Sequence, residues 1–366
     1  MRIVLFLFLR EREQLILTLS DPSFIRVTKS LILLILILSF YLTEQSYHKY
    51  RIKQGSCNLY AMLMSNQKPK LIVILGPTAS GKTGLALKLA EKFNGEIINA
   101  DSRQVYKEMD IGTNKTENQK SVKLEIKTDI PTHLISVINP DEKFSLSQYK
   151  KLAIEKIKGT QRRNKIPFLV GGTGLYISSV IDNLKIPKAP PNEKIREKLE
   201  KLNSKELFNK LKKVDLKSAK IIGENNKRKL IRALEVYEIT GKPFSFQQTK
   251  SKPLFNILQI GIKTDREKLY KKIDQRVDKM VEIGLVEETK NLAEKYSFDL
   301  PAMSGIGYRE IGLYLQNKIA LDEAIQKMKF RTHQYARRQM TWFRRDERIK
   351  WIENYKEAEK LVKKFL

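Results

Sequence analysis

The sequence predicts an α/β fold in which a parallel sheet is flanked by helices, with a helical insertion and a helical C-terminal region. Short apolar runs alternate with helical patterns between residues 71 and 183. Long charged helical patterns follow a proline-rich break, and a further helical pattern runs from Asp322 to Arg345. Because ligands of a parallel sheet bind beyond the carboxyl ends of its strands, the residues that follow each predicted strand are candidate site residues.

Residues 1–63 contain long apolar runs and differ in texture from the rest of the chain. The uncharged run from Ser30 to Thr43 is shorter than the ~18 residues expected of a membrane-spanning helix. A polar stretch leads into the first predicted strand directly after Met62 and Met64. We therefore expect the functional protein to begin at Met62 or Met64 and residues 1–63 to be an over-long gene start. A membrane anchor is the alternative.

The first predicted strand, Leu71–Leu75, leads into a G-x-x-x-x-G-K-[ST] pattern, and a helical pattern follows it. The residues of this loop are Gly76, Pro77, Thr78, Ala79, Ser80, Gly81, Lys82 and Thr83. Loop amides and a helix N-terminus attract an anion, Lys82 can contact terminal phosphates, and the Thr83 hydroxyl can hold Mg²⁺. The order of strand, loop and helix predicts a P-loop NTPase-like sheet. A glycine turn with a solvated Lys82 is the alternative, but it does not explain why Lys and Thr follow Gly81 together.

Further strands are predicted at Glu96–Ala100, His133–Ser136, Pro167–Val170 and Ile257–Ile262. Asp101 follows one of these strands and Gly171–Thr173 follow another, so both should face the same cleft as Lys82. Asp101 could instead only cap the next turn. Arg276 lies beside the apolar stripe of a helix that Asp265 can cap, so it can reach a cleft or remain a solvated surface residue.

The composition favours a polyanionic partner and a reducing compartment. Lys and Arg number 70 against 41 Asp and Glu, a formal net charge of +29 that suits nucleic acid. The single cysteine, Cys57, excludes disulfides within the chain, and the three histidines lie far apart, so no metal-ligand or Ser-His-Asp spacing emerges. We expect a cytoplasmic protein.

The last long helical pattern carries a basic stripe. Arg331, Arg338 and Arg345 repeat every seven residues, with histidine and aromatic residues, among them Tyr335 and Trp342, between them. Such a stripe suits an RNA backbone and unstacked bases. A solvated amphipathic helix is the alternative.

Several separated stretches, in the same order, resemble the tRNA dimethylallyltransferases, the isopentenyl-transferase family that modifies an adenine beside the anticodon. They are the phosphate loop 76–83, Asp101-Ser102-Arg103-Gln104-Val105-Tyr106, Met109-Asp110-Ile111-Gly112-Thr113, Val170-Gly171-Gly172-Thr173-Gly174-Leu175-Tyr176, Arg232-Ala233-Leu234-Glu235-Val236-Tyr237, Gly305-Ile306-Gly307-Tyr308-Arg309 and Arg337-Arg338-Gln339-Met340-Thr341-Trp342-Phe343. The resemblance covers about Lys70 to the C-terminus.

The resemblance implies transfer of a dimethylallyl group from dimethylallyl diphosphate to the exocyclic N6 amine of the adenine at tRNA position 37, 3′ of the anticodon, with release of diphosphate. The phosphate loop then holds the isoprenoid diphosphate, and Lys82, Mg²⁺ on Thr83, and Arg276 stabilise the departing charge. Asp101 matches the family's general base. The target base leaves its stack to enter a channel, a form of base flipping.

The resemblance also assigns tRNA contacts, in five separate parts of the sequence. They are Asp101, Ser102, Arg103, Gln104, Thr173, Arg196, Arg228, Lys229, Leu230, Ile231, Arg232, Ser304, Gly305, Ile306, Gly307, Tyr308 and Arg309.

We divide the chain into an atypical extension (1–63), a P-loop catalytic core (64–184), a helical insertion for tRNA binding (185–250) and the remainder of the core with basic C-terminal helices (251–366). A monomer without a stable protein partner is expected. Alternatives are an adenylate isopentenyltransferase that acts on a free nucleotide, a small-molecule P-loop kinase that binds ATP, and a non-catalytic RNA-binding protein. The kinase alternative does not explain the basic helices. The non-catalytic alternative does not explain why Lys82, Thr83 and Asp101 occur together.

Overall fold

The computed structural model describes residues 68–115, 130–247 and 249–366, together with the backbone of two strands, β1 (Ile3–Phe8) and β2 (Gln14–Leu19). These two strands pair antiparallel. The rest of the predicted extension 1–63, with its proposed starts at Met62 and Met64, lies outside the described residues. The chain divides into two compact units, Met1–Asn66 and Gln67–Leu366, and the second contains everything discussed below.

A six-stranded sheet, parallel throughout, forms the centre of the second unit. Its strands are β3 (Lys70–Leu75), β4 (Gly95–Asn99), β5 (Thr132–His133), β6 (Ile166–Gly171), β7 (Asn256–Ile262) and β8 (Ile349–Ile352). They lie in the order β5-β4-β6-β3-β7-β8, so the strand before the phosphate loop is interior. The ends of the three middle strands are level, because Leu75 is opposite both Gly171 and Gly261. The predicted fold class is confirmed.

Thirteen helices lie in the described part of this unit. They are α1 (Lys82–Lys92), α2 (Leu146–Arg162), α3 (Gly174–Ile181), α4 (Glu193–Glu200), α5 (Ser204–Val214), α6 (Leu216–Ile222), α7 (Lys227–Thr240), α8 (Phe244–Gln247), α9 (Arg266–Glu282), α10 (Leu285–Lys295), α11 (Tyr308–Leu315), α12 (Leu321–Phe343) and α13 (Tyr355–Phe365).

Both faces of the sheet are covered, which explains why β3 is apolar at every position after Lys70. Leu71 and Val73 point into a core shared with α2, α3 and α10 to α12. Ile72 and Ile74 point into a second core, shared with α1 and α13. Each of these four side chains is fully buried.

Helices α4 to α8 form the predicted insertion between α3 and β7, with an apolar cluster of their own that includes Leu207, Leu211 and Leu230. In four of these helices the residue before the first turn is polar, and its side chain caps the helix by accepting a hydrogen bond from a backbone N–H of that turn. The capping residues are Asn192, Asn203, Asp215 and Asn226. The boundaries proposed at 185 and 250 stay predictions.

Two sequence-based expectations about elements were wrong, and one strand was missed. The strand expected at His133–Ser136 is only the two-residue β5, because Leu134 and Ser136 have φ of 64° and 52°, which end the extended backbone. The edge strand β8 was not predicted. Arg345 lies beyond the end of α12, so the basic stripe is not entirely helical. Within the described residues, no helix combines the length and hydrophobicity that crossing a membrane requires.

Candidate active site at the carboxyl edge of the sheet

The phosphate loop joins β3 to α1. Gly81 is the N-cap of α1, in the left-handed region at φ 87°, and no side chain caps the helix. The first amides of α1 therefore have no side-chain acceptor, which is the arrangement that binds an anion. Ala79 also has positive φ, 61°, and its methyl group packs against Ile273 and Ala336. Helices α9 and α12 therefore support the phosphate loop by packing against Ala79.

Lys82 is half-buried in the loop, and its Nζ donates to the Pro77 carbonyl at 2.5 Å. Burial lowers the pKa of Lys82 to about 8; the Asp101 carboxylate opposes this decrease, whereas the Arg276 guanidinium adds to it. Asp101 and Arg276 therefore both lie within electrostatic reach of Lys82. An anion bound beside Lys82 would restore the preference for its charged form.

Asp101 follows β4 and is half-buried at the cleft. Its Oδ1 accepts the Arg103 backbone N–H at 2.8 Å, which orients the carboxylate and leaves Oδ2 for another hydrogen bond. The Ser102 backbone N–H donates to Thr173 Oγ1 at 3.0 Å, and Thr173 N donates to the Ala100 carbonyl at 3.1 Å. The ends of β4 and β6 are thus tied together beside Asp101.

Gly171 makes this close approach possible. A Cβ at Gly171 would overlap the backbone of Ala100, so no other residue fits without moving a strand. Helix α12 closes the site from the other side, where the Tyr335 hydroxyl lies near Thr173 and burial raises the pKa of that hydroxyl.

These elements surround a cleft of about 1420 Å³. The predicted site residues that line it are Thr78, Ala79, Ser80, Gly81, Lys82, Thr83, Asp101, Ser102, Arg103, Gln104, Arg276, Ser304, Ile306 and Arg309. Its wall also has an apolar part, from Val277, Met280 and Met328. One cleft therefore combines an anion-binding loop, a carboxylate and an apolar surface.

Several predicted site residues lie away from this lining. Gly76 and Pro77 belong to the phosphate loop, and Thr173 acts through Ser102 and Tyr335. Arg103 lines the cleft, but its guanidinium donates to the Pro301 carbonyl at 2.7 Å, so it also braces the turn before α11.

The basic residues of the insertion have mixed roles. Glu235 is fully buried and accepts hydrogen bonds from Arg196 Nε at 2.8 Å and Arg232 Nη1 at 2.7 Å. Burial by itself would raise the pKa of the Glu235 carboxyl, but the bonds from Arg196, from a backbone amide and from Arg232 outweigh burial and hold it below its usual value. Arg196 and Arg232 therefore stabilise the insertion.

The side chains of Leu230 and Ile231 are buried in the insertion's core, whereas Arg228 and Lys229 are exposed. A contact between RNA and either apolar side chain would require that core to open. The exposed part of this stretch consists of the two cations.

The turn before α11 likewise divides into inner and outer residues. Tyr308 is buried and donates from its hydroxyl to Glu288 Oε1 at 2.7 Å, and Gly305 and Gly307 are buried beside it. Ser304 and Arg309 are exposed at the cleft. The outer residues are the ones available to a ligand.

Sequence patterns did not separate paired from exposed residues on α12. Arg331 Nη1 contacts the buried Glu310 at 2.7 Å, and His333 stacks on Tyr270 with ring centroids 4.0 Å apart. Both side chains therefore join α12 to its neighbours. Arg338 is exposed at the cleft, with its guanidinium 6.0 Å from the Tyr335 ring centroid.

Gln339 was not among the predicted site residues, although it belongs to the stretch Arg337–Phe343 that carries the family resemblance. Its Oε1 accepts the Thr78 backbone N–H at 2.8 Å and its Nε2 donates to the Gly172 carbonyl at 2.9 Å. Only its place on the helix could have indicated this role, because a buried glutamine has no distinctive sequence pattern.

Family profiles match most of this unit. The profile described as IPP transferase matches residues 104–346, and the profile described as isopentenyl transferase matches residues 69–127. A tRNA dimethylallyltransferase of Carboxydothermus hydrogenoformans is 47% identical over 305 residues, which is 81% of this chain and 96% of the relative. The tRNA dimethylallyltransferase of Thermoanaerobacter sp. (strain X514) is 45% identical over 309 residues, with the same coverage of both chains.

Solved structures agree. The full-length tRNA isopentenylpyrophosphate transferase of Bacillus halodurans is 38% identical with a TM-score of 0.60, over 81% of this chain and 95% of the other. A eukaryotic dimethylallyltransferase described as acting on tRNA is 34% identical with a TM-score of 0.64, over 75% of this chain and 69% of the other.

Proposed function

The chain belongs to the IPP transferase family, and we propose that it transfers a dimethylallyl group from dimethylallyl diphosphate to the N6 amine of the adenine on the 3′ side of the anticodon of a tRNA. The observation that carries this proposal is the shared cleft of Lys82 and Asp101, which joins an anion-binding loop to a carboxylate. The products are the alkylated base, diphosphate and one proton.

The phosphate loop binds the diphosphate. Breaking the bond between the allylic carbon and the diphosphate oxygen places negative charge on the leaving group. We expect the uncapped amides of α1, Lys82 and Arg276 to stabilise that charge, since the helix start has no side-chain cap and both cations lie at the cleft. The apolar side chains Val277 and Met280 in the same cleft suit a dimethylallyl tail.

Asp101 prepares the acceptor. The lone pair of an adenine amine is delocalised into the ring, so the amine is a weak nucleophile. A carboxylate that accepts a hydrogen bond from the amine orients it and takes the proton as the new carbon–nitrogen bond forms. The Arg103 backbone N–H occupies only Oδ1, which leaves Oδ2 to act as the base.

Thr83 is the residue that would hold Mg²⁺. It lines the cleft next to Lys82, and the described residues contain no group of three His, Cys, Asp or Glu side chains that could form a metal site by themselves. One hydroxyl fits Mg²⁺, which commonly takes few protein ligands and completes its shell with water and substrate phosphates. When bound, the ion supplies further charge stabilisation to the leaving diphosphate.

The tRNA surface that we propose comprises the exposed residues of the predicted set. At the cleft these are Ser304 and Arg309, with Arg338 from α12, and on the insertion they are Arg228 and Lys229. Cations of this kind bind phosphates whatever the sequence, whereas the cleft selects the flipped base. A monomer in a cytoplasmic setting fits these substrates.

The test is a reconstitution of residues 64–366 with dimethylallyl diphosphate, Mg²⁺ and unmodified tRNA, followed by nucleoside mass spectrometry. Isopentenyladenosine in the tRNA is the expected product. A parallel reaction with free AMP separates the adenylate isopentenyltransferase, and one with ATP and no isoprenoid separates the kinase. Product from free AMP alone, or phosphate transfer without alkylation, would overturn the proposal.

A further inference from the structure

We infer that Gln339 is a positioning residue that sets the separation between the leaving diphosphate and the acceptor base. This inference rests on the proposed function and adds to it a residue of the cleft wall that acts through hydrogen bonds to two loops. Gln339 lies on α12 and is 5% exposed.

The side-chain amide of Gln339 joins two loops that are far apart in sequence. Oε1 accepts from Thr78 N at 2.8 Å in the phosphate loop, and Nε2 donates to Gly172 O at 2.9 Å in the turn after β6. Because the residue is buried, both hydrogen bonds are shielded from competing water. An amide is the side chain that accepts at one end and donates at the other in this geometry.

Each loop connects to one reacting partner. Thr78 belongs to the loop that holds the diphosphate. Gly172 precedes Thr173, whose hydroxyl accepts the Ser102 backbone N–H at 3.0 Å next to Asp101. Gln339 therefore lies midway in a continuous path from the leaving group to the general base.

The contact between the Gln339 side chain and the backbone of Gly172 is tightly packed. A Cβ at Gly172 would overlap Gln339 Nε2, so the amide lies directly on the backbone of the turn. One turn further along α12, Trp342 packs on Gly174 in the same way. Two adjacent contacts from one rigid helix thus fix the turn on both sides of Thr173.

A displacement of either loop changes the approach of the amine to the allylic carbon. A misplacement of about 1 Å can reduce turnover on the order of 100-fold. Gln339→Met keeps the length of the side chain and removes both hydrogen bonds. Gln339→Glu keeps an acceptor for Thr78 N and loses the donor to Gly172.

The experiment measures kcat and KM for both substrates in wild type, Gln339→Met and Gln339→Glu, with Gln326→Leu as the matched control on an exposed face of the same helix. For both Gln339 variants we expect kcat to fall about 100-fold. For Gln339→Met we expect KM for tRNA to stay within about threefold. The control should behave as wild type. Unchanged kcat with a raised KM for either substrate would make Gln339 a binding residue and overturn the inference.

Amide hydrogen exchange gives a readout that does not depend on the reaction. In Gln339→Met, exchange should rise in both 77–83 and 171–174, whereas a merely structural loss would raise it along α12 as well. If neither loop changes, the inference is wrong even when wild type makes isopentenyladenosine. If wild type makes no isopentenyladenosine while exchange rises in both loops, the proposed function is wrong, but the inference that Gln339 positions the two loops is retained.

Discussion

In the helical insertion, the buried Glu235 is surrounded by opposite charges, and hydrogen bonds from Arg196 and Arg232 overcome the cost of its burial. In the cleft, burial and the nearby Arg276 both weaken the hold of Lys82 on its proton, and Asp101 compensates only in part. The two regions differ in electrostatics, because the insertion pairs a buried carboxylate with two cations and the cleft places two cations near each other. Charges that neutralise each other locally support the fold, whereas two cations close enough to repel each other favour the binding of an anion between them.

The largest effect is expected from Asp101→Asn, which tests whether the carboxylate in the cleft is a base. The amide keeps an oxygen for the Arg103 backbone N–H, so the loop should stay in place. We expect kcat to fall about 1000-fold because proton transfer is lost. Turnover is measured under saturating substrates, with the exposed Asp141→Asn as control.

Affinity for tRNA, measured by filter binding, should change by less than about threefold in Asp101→Asn. A collapse of affinity while bound complexes still turn over would make Asp101 a binding residue. That result would contradict the interpretation that the cleft residues act in catalysis while the paired residues of the insertion support the fold.

The second prediction concerns the insertion. Glu235→Leu leaves Arg196 and Arg232 without their shared partner and should lower the free energy of unfolding by about 3 kcal/mol. Urea denaturation gives this value. Arg228→Ala, at an exposed position of the same helix, should leave stability unchanged and weaken tRNA binding, most strongly at low salt.

Binding of inorganic diphosphate should be the same in Glu235→Leu as in wild type. Reduced diphosphate binding in the folded variant would show that the two regions are not independent. Unchanged stability would show that the paired arginines do not support the insertion.

The smallest effect is a pH dependence. Since the pKa of Lys82 is about 8, the free enzyme loses this positive charge as the pH rises through that value. We expect KM for dimethylallyl diphosphate to rise about tenfold between about pH 7 and pH 9, and Lys82→Arg, which stays charged, to flatten the profile. Steady-state kinetics across this range provide the measurement. An equal rise in Lys82→Arg would assign the dependence to another group.

The same pKa fixes the sign of the effect on stability. The unfolded chain holds the Lys82 proton more tightly than the folded one, so charged Lys82 costs stability below about pH 8, and this cost declines as the pH rises toward the ordinary lysine value. Lys82→Met should therefore raise the free energy of unfolding at neutral pH, opposite to Glu235→Leu.

The sequence was sufficient for the core of the fold because burial on both faces leaves a clear trace. β6 and the part of β3 after Lys70 are continuous apolar runs, and the phosphate loop follows β3. The strand β8 left no such trace, since it has only four residues, Ile-Lys-Trp-Ile, and lies at the edge of the sheet. The short β5 was overestimated because positive φ at Leu134 could not be read from composition.

The position of a candidate site residue was predictable where that residue closely follows a predicted strand. Lys82 and Asp101 follow strands, and topology brings them together. The sequence did not predict which arginines form ion pairs and which are exposed. Arg232 and Arg228 look alike in sequence, yet one contacts Glu235 and the other faces solvent, a difference decided by packing within the insertion. Gln339 acts through backbone atoms of distant loops, which no local pattern reports.

The glycine at 171 has a consequence for altering substrate choice. Because two backbones meet there without room for a side chain, the main chain of Gly171 and Ala100 limits how closely the strand ends beside Asp101 approach each other. Random variation at this position offers no graded adjustment, only intact or broken enzymes. Engineering toward bulkier donors or other acceptor bases should therefore vary Met280, Ile306 or Met328, whose side chains line the same space and can be exchanged in small steps.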